Sequence, residues 1–199
     1  MAAGVNPAGE LSISGSTGFA QIAELLRAVT VHVSVSTGRY GRGFGSGVVW
    51  SANGLVITNA HVAPGASAVV EFQNGRRFPA SVIGRDANHD LAGLQIRGAV
   101  FSPPMVRDSA TLRVGELVIA MGNPLGEIGA VSAGMVHSAG SGDYLEADIR
   151  LAPGNSGGPL ADSEGRIVGI NTCIANGMGV AIGTRRIIPF VAQLMSLRN

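Results

Sequence analysis

From Val29 to Ile182 the chain is cut into about twelve short apolar or alternating runs, each closed by glycine, asparagine, aspartate or proline. Strict alternation opens the series, with Val29, Val31, Val33 and Val35 on one side and Thr30, His32, Ser34 and Ser36 on the other. That period of two marks a strand with one buried face. Asn53-Gly54 and Asn74-Gly75 each join two apolar runs, and both residue types accept the positive φ of a tight hairpin. Helical spacing is confined to the ends. Phe19–Ala28 places Phe19, Ile22, Ala23 and Leu26 on one face, and Pro189 suits the first turn of a helix reaching about Arg198. The pattern predicts an all-β chain of two six-stranded antiparallel β-barrels with short terminal helices.

A break separates the two sets of runs. Arg97–Arg113 contains Ser102-Pro103-Pro104 and shows neither period. We therefore expect a mobile arm over 1–18, a first barrel over 19–100, a linker over 101–114, and a second barrel with its closing helix over 115–199. Thirty glycines in 199 residues supply the turns, and 46% hydrophobic with 14% charged residues excludes a disordered chain.

Charge and cysteine remove whole classes of function. All fourteen basic residues are arginine, so a P-loop lysine, a Schiff-base lysine and a Ser-Lys dyad are impossible. Arginines occur at most in pairs, which predicts no nucleic-acid partner. Cys173 stands alone, excluding an intrachain disulfide and a multi-cysteine metal site, and is expected to be a small buried residue. No run is long enough to span a bilayer, and the start lacks the basic residues of a signal peptide. As written the chain is expected to be soluble and cytoplasmic, without a membrane partner, or extracytoplasmic if a leader has been removed.

Three polar residues sit where a core or solvent role is awkward. His61 follows an apolar strand in Ile57-Thr58-Asn59-Ala60-His61-Val62, Asp90 precedes Leu91-Ala92-Gly93-Leu94, and Ser156 lies within Gly154-Asn155-Ser156-Gly157-Gly158. A serine hydroxyl becomes a nucleophile when an imidazole takes its proton and a carboxylate steadies the imidazolium. Glycines around Ser156 let backbone N–H groups turn toward a developing oxyanion and leave room for a substrate backbone. An α/β-hydrolase elbow would also fit Gly154–Gly158, but it needs a later histidine and none follows Ser156. Asp86, His89 and Asp90 lack a further ligand cluster, so no metal is expected; His89 is read as solvated.

With these segments the chain resembles the protease domain of the HtrA (Deg) family of trypsin-fold serine endopeptidases. Gly45-Ser46-Gly47-Val48-Val49, Ala120-Met121-Gly122-Asn123-Pro124-Leu125-Gly126 and Ile167-Val168-Gly169-Ile170-Asn171-Thr172 carry the match further. The resemblance implies His61 as general base, Asp90 as its orienting partner and Ser156 as nucleophile. It implies an oxyanion hole from the N–H groups of Gly154 and Ser156, with Asn155 shaping the loop. Unfolded or misfolded proteins or peptides would be the substrates, a homotrimer through residues 1 to 28 is possible, and no cofactor is required. The residues after Gly183 suffice only for the closing helix and not for the family's PDZ domain, so either a single-domain member or a fragment of a longer protein is expected. Ile149, Leu151, Ile170, Asn171 and Thr172 are expected to wall the specificity pocket and favour a small-to-medium aliphatic residue. Arg150, turned inward, would instead favour an acidic one. The rival readings are a chaperone or binding module with a resting site, and an esterase-like hydrolase on the same scaffold.

Overall fold

The computed structural model describes residues 15–36, 42–123, 129–139 and 142–196; the expected arm lies outside them up to residue 14. Helix α1 (Gly15–Val29) begins earlier than the apolar spacing indicated. It buries Ala23 and Leu26, while Phe19, expected on the same face, is exposed. The strands β1 (Thr30–Ser36), β2 (Arg42–Val49), β3 (Leu55–Thr58), β4 (Ser67–Glu71), β5 (Arg77–Asp86) and β6 (Leu91–Ile96) close one antiparallel barrel in the order β1-β2-β3-β6-β5-β4. A second closed barrel, ordered β10-β11-β12-β9-β8-β7, uses β7 (Leu117–Gly122), β8 (Ala130–Ser138), β9 (Tyr144–Asp148), β10 (Pro159–Asp162), β11 (Ile167–Ala175) and β12 (Met178–Gly183). Closure leaves neither sheet with an unpaired edge.

Alternation decides what each barrel encloses. Val31, Val33 and Val35 of β1 meet Val49, Val56, Val70, Leu94 and Ile96 inside the first barrel. Val118, Val136, Leu145, Leu160 and Val168 fill the second. The residues between 97 and 116 run across both. Phe101 stacks on Phe72 with ring centroids 5.3 Å apart, and Val106 bridges Ile167 of β11. Arg107 pairs with Glu116 at 2.8 Å and with the buried Asp162 at 3.3 Å.

A third core lies between the barrels. Val48, Leu55, Ile57 and Leu91 meet Ile170 and Ile182 there, and the final helix α2 (Thr184–Ser196) seals it with Ile187, Phe190, Val191 and Leu194. This helix starts five residues before Pro189, so Pro189 lies inside it and not in its first turn. The start is fixed at Thr184, whose hydroxyl accepts from the Ser109 N–H at 2.8 Å and donates to the Arg107 carbonyl at 2.7 Å. Proline removes one helical hydrogen bond, and the buried apolar face of α2 outweighs that loss. Leu194 reaches so far into β5 and β6 that a Cβ on Gly84 or Gly93 would stand 2.3 Å from its methyl groups. Leu194→Ala, at a side chain 3% exposed, is therefore expected to cost about 2–5 kcal/mol, read from the shift of the urea unfolding midpoint. A change below about 1 kcal/mol would show that α2 does not seal the interface.

Candidate active site

His61 and Asp90 come from neighbouring ends of the first barrel. The turn Asn59–Ala63 follows β3, and Asp90 immediately precedes β6, which pairs with β3. Asp90 holds a left-handed backbone at φ 54, uncommon for a non-glycine residue and compensated by its bonds. Its carbonyl accepts from the Asn59 side chain at 3.0 Å and the Ala60 N–H at 3.1 Å. Its carboxylate accepts from the His61 N–H on Oδ1 at 3.0 Å, while Oδ2 lies 2.8 Å from His61 Nδ1. The far end of the His61 turn is held by the Arg85 guanidinium, which donates to the Ala63 carbonyl through Nε at 2.9 Å and Nη2 at 2.7 Å.

The second barrel contributes a further bond, and sequence reasoning missed it. Thr172, expected only as a pocket wall, donates its hydroxyl to Asp90 Oδ2 at 2.7 Å. Burial pushes the Asp90 carboxyl up, yet the hydrogen bonds from His61 and Thr172 outweigh it and hold the group below the ordinary carboxylate range. The Thr172 carbonyl accepts the Ser156 hydroxyl at 2.9 Å. One residue thus touches both Asp90 and Ser156 across the two barrels. In this arrangement Ser156 donates to Thr172 and not to His61, and among the described residues His61 Nε2 has no hydrogen-bond partner.

Around Ser156 the loop geometry follows from Pro153-Gly154. The Asn155 N–H donates to the Ala152 carbonyl at 3.0 Å, closing a four-residue turn with Pro153 at its second position and Gly154, φ +104, at its third. That is a type II turn, which needs positive φ where Gly154 stands. The turn uses the Asn155 N–H. Among the described residues the N–H groups on either side, those of Gly154 and Ser156, have no acceptor. Two unclaimed donors beside a serine hydroxyl can receive an oxygen that gains negative charge. Asn155 itself is buried against Gly122, so the loop has no slack on that side.

A cavity of about 180 Å³ opens next to Ser156, lined by Leu151, Ala152, Asn155, Asn171, Thr172 and Ile174 among others. The structure brings Leu151, Asn171 and Thr172 of the expected wall together there and leaves Ile149 and Ile170 out. Ile149 packs inside the second barrel just past the end of β9, and Ile170 lies in the core between the barrels, ahead of the irregularity in β11 between Asn171 and Cys173. Cys173, expected to be buried, is exposed and lines the cavity, as β11 leaves the core after Thr172. Arg150 is exposed and does not line the cavity. His89, expected in solvent, is partly buried between Asp86 Oδ2 at 2.9 Å and Asp143 Oδ2 at 3.4 Å. Among the described residues no three His, Cys, Asp or Glu side chains could hold a metal ion, and no helix is long and apolar enough to cross a membrane.

Comparison with known proteins agrees with this architecture. Residues 45–170 match the trypsin-like peptidase domain family. The chain is 36% identical over 154 residues to a probable periplasmic serine endoprotease DegP-like of Chlamydia pneumoniae, covering 73% of this chain and 32% of that protein. It is 38% identical over 157 residues to the putative serine protease HhoA of a Synechocystis strain, covering 70% of this chain and 40% of the relative. A DegP-like relative from Bartonella henselae is 39% identical over 155 residues, covering 73% of this chain and 31% of that protein. The chain thus spans about a third of the length of such relatives.

Proposed function

This chain belongs to the trypsin-like peptidase family, on its HtrA (Deg) side, and from that premise we propose a serine endopeptidase in which Ser156, His61 and Asp90 act as a unit. The observation that carries the proposal is Thr172, bound at once to Asp90 and to Ser156, beside two unclaimed N–H donors. Rotation of the Ser156 hydroxyl from the Thr172 carbonyl toward His61 Nε2 prepares the attack. Oγ bonds to the substrate carbonyl carbon, and its proton passes to Nε2. The carbonyl oxygen, now anionic, is received by the N–H groups of Gly154 and Ser156. Collapse breaks the C–N bond, and the departing amine takes the proton from His61. Water then repeats the sequence on the acyl ester and frees Ser156.

The substrate is an extended polypeptide, as presented by unfolded or misfolded proteins, with a small-to-medium aliphatic side chain in the cavity beside Leu151 and Ile174. A fluorophosphonate probe tests the reading. Incubation with unfolded casein present is expected to modify one residue, located by peptide mass spectrometry at Ser156, with loss of casein cleavage in step. Cleavage that persists after complete modification of Ser156 would overturn it.

A further inference from the structure

One buried hydroxyl outside the three reacting side chains is bonded to the loop that carries the donors of the proposed oxyanion hole. Ser46 lies in β2 of the first barrel and is fully buried. Its Oγ donates to the Gly154 carbonyl at 2.7 Å, and its N–H donates to the Ser156 carbonyl at 2.8 Å. Gly154 and Ser156 are the two residues whose own N–H groups are unclaimed. Ser46 therefore grips the carbonyl of each residue that presents a donor, and it does so from the opposite barrel. The Ser46 carbonyl is fixed in turn by the Thr58 hydroxyl at 2.6 Å, which anchors the grip to β3.

The direction of the Ser46 proton is not free. Its oxygen accepts from the Asn123 N–H at 2.9 Å and from the Asn123 side-chain amide at 3.3 Å. A hydroxyl has one proton to give, and with its acceptor side occupied that proton is directed to the Gly154 carbonyl. Asn123 is itself held, because its Oδ1 accepts from the Gly129 N–H at 2.9 Å. The Gly154 carbonyl belongs to the residue at φ +104 in the type II turn. Glycine at that position can rotate to other conformations at little steric cost, so the turn needs an external partner to hold it.

We infer that Ser46 is a positioning residue for peptide hydrolysis, holding the oxyanion-hole turn in its competent form from the neighbouring barrel. It touches no substrate and exchanges no proton with it. The inference rests on the proposed Ser156 chemistry, and the test separates the two. Ser46→Ala removes the grip on Gly154 while keeping the backbone bond to Ser156. We expect kcat on a peptide thioester to fall about 10- to 100-fold with KM within about threefold, because only the charge-bearing state uses the hole. Affinity for a peptide boronate, whose tetrahedral adduct places an oxygen in the hole, should fall in parallel. Affinity for the corresponding cleaved peptide should be unchanged. Ser46→Thr, which restores the hydroxyl, should recover most of the loss. An unchanged kcat and unchanged boronate affinity in Ser46→Ala, with wild type active, overturns the role of Ser46. So does a loss that vanishes well below the unfolding temperature, since that is stability alone. An inert wild type overturns the Ser156 reading instead. The crystal structure of Ser46→Ala then decides the remaining question: Gly154 kept at positive φ with its N–H still unclaimed refutes the grip.

Discussion

Ser156→Ala is expected to lower peptide turnover by a factor on the order of 10⁴ or more. The same change should move the unfolding free energy by no more than about 1 kcal/mol, because the hydroxyl makes a single hydrogen bond, to the Thr172 carbonyl. The two effects separate cleanly because backbone and side chain have different duties here. The Ser156 N–H is one of the two unclaimed donors, and the Ser156 carbonyl is bound to Ser46; alanine preserves both. The variant should therefore still bind peptide and still polarise its carbonyl, leaving a residual rate above that in water. Calorimetry with an uncleaved peptide should show a dissociation constant within a few-fold of the parent. A turnover loss below tenfold would mean that another group makes the acyl bond or that water attacks directly.

The features legible in the sequence are those governed by local periodicity. Val31, Val33 and Val35 alternate and are all buried, and two Asn-Gly pairs fall between paired strands, so the architecture of two closed barrels could be read before any contact was known. The ends of the chain were harder. The first helix runs on through Gly15–Gly18, whose composition argues for a loop, and α2 tolerates Pro189 because its buried face outweighs one missing bond. For the site, His61, Asp90 and Ser156 stood out as polar residues against apolar or glycine-rich runs, but contacts between barrels left no mark in the chain order. Thr172 lies 82 positions from Asp90, and Ser46 lies 108 from Gly154; nothing local announces either bond. The pocket failed for a related reason. Ile149 and Ile170 are apolar because they belong to cores, whereas Cys173 and Ile174 line the cavity after β11 has left its core. Hydropathy ranks a residue as suited to burial without saying which side of a wall it faces.

Asp90→Asn is expected to reduce kcat/KM near neutral pH by about 10⁴-fold while the chain stays folded. The carboxylate is acceptor-only, and it receives three bonds: the His61 N–H, the His61 ring nitrogen Nδ1 and the Thr172 hydroxyl. Accepting from Nδ1–H leaves Nε2 unprotonated and able to take the Ser156 proton. An asparagine must place its NH₂ where Oδ2 or Oδ1 stood. In place of Oδ2 it faces both His61 Nδ1 and the Thr172 hydroxyl, selects the tautomer with hydrogen on Nε2, which cannot act as base, and makes Thr172 give up its donation. In place of Oδ1 it meets the His61 backbone N–H, donor against donor, and the bond that fixes the His61 turn is lost. The substitution also removes a pH-dependent contribution to stability. Because bonding holds the Asp90 carboxyl below the ordinary carboxylate range, that contribution is present above the unfolded value near ~3.9 and fades as pH falls toward the lower folded one. Urea midpoints between pH 7 and pH 3 should therefore fall more steeply for the parent than for Asp90→Asn. Activity within tenfold of the parent, or acid profiles of equal slope, would show that the carboxylate neither sets the His61 tautomer nor is stabilised by the partners around it.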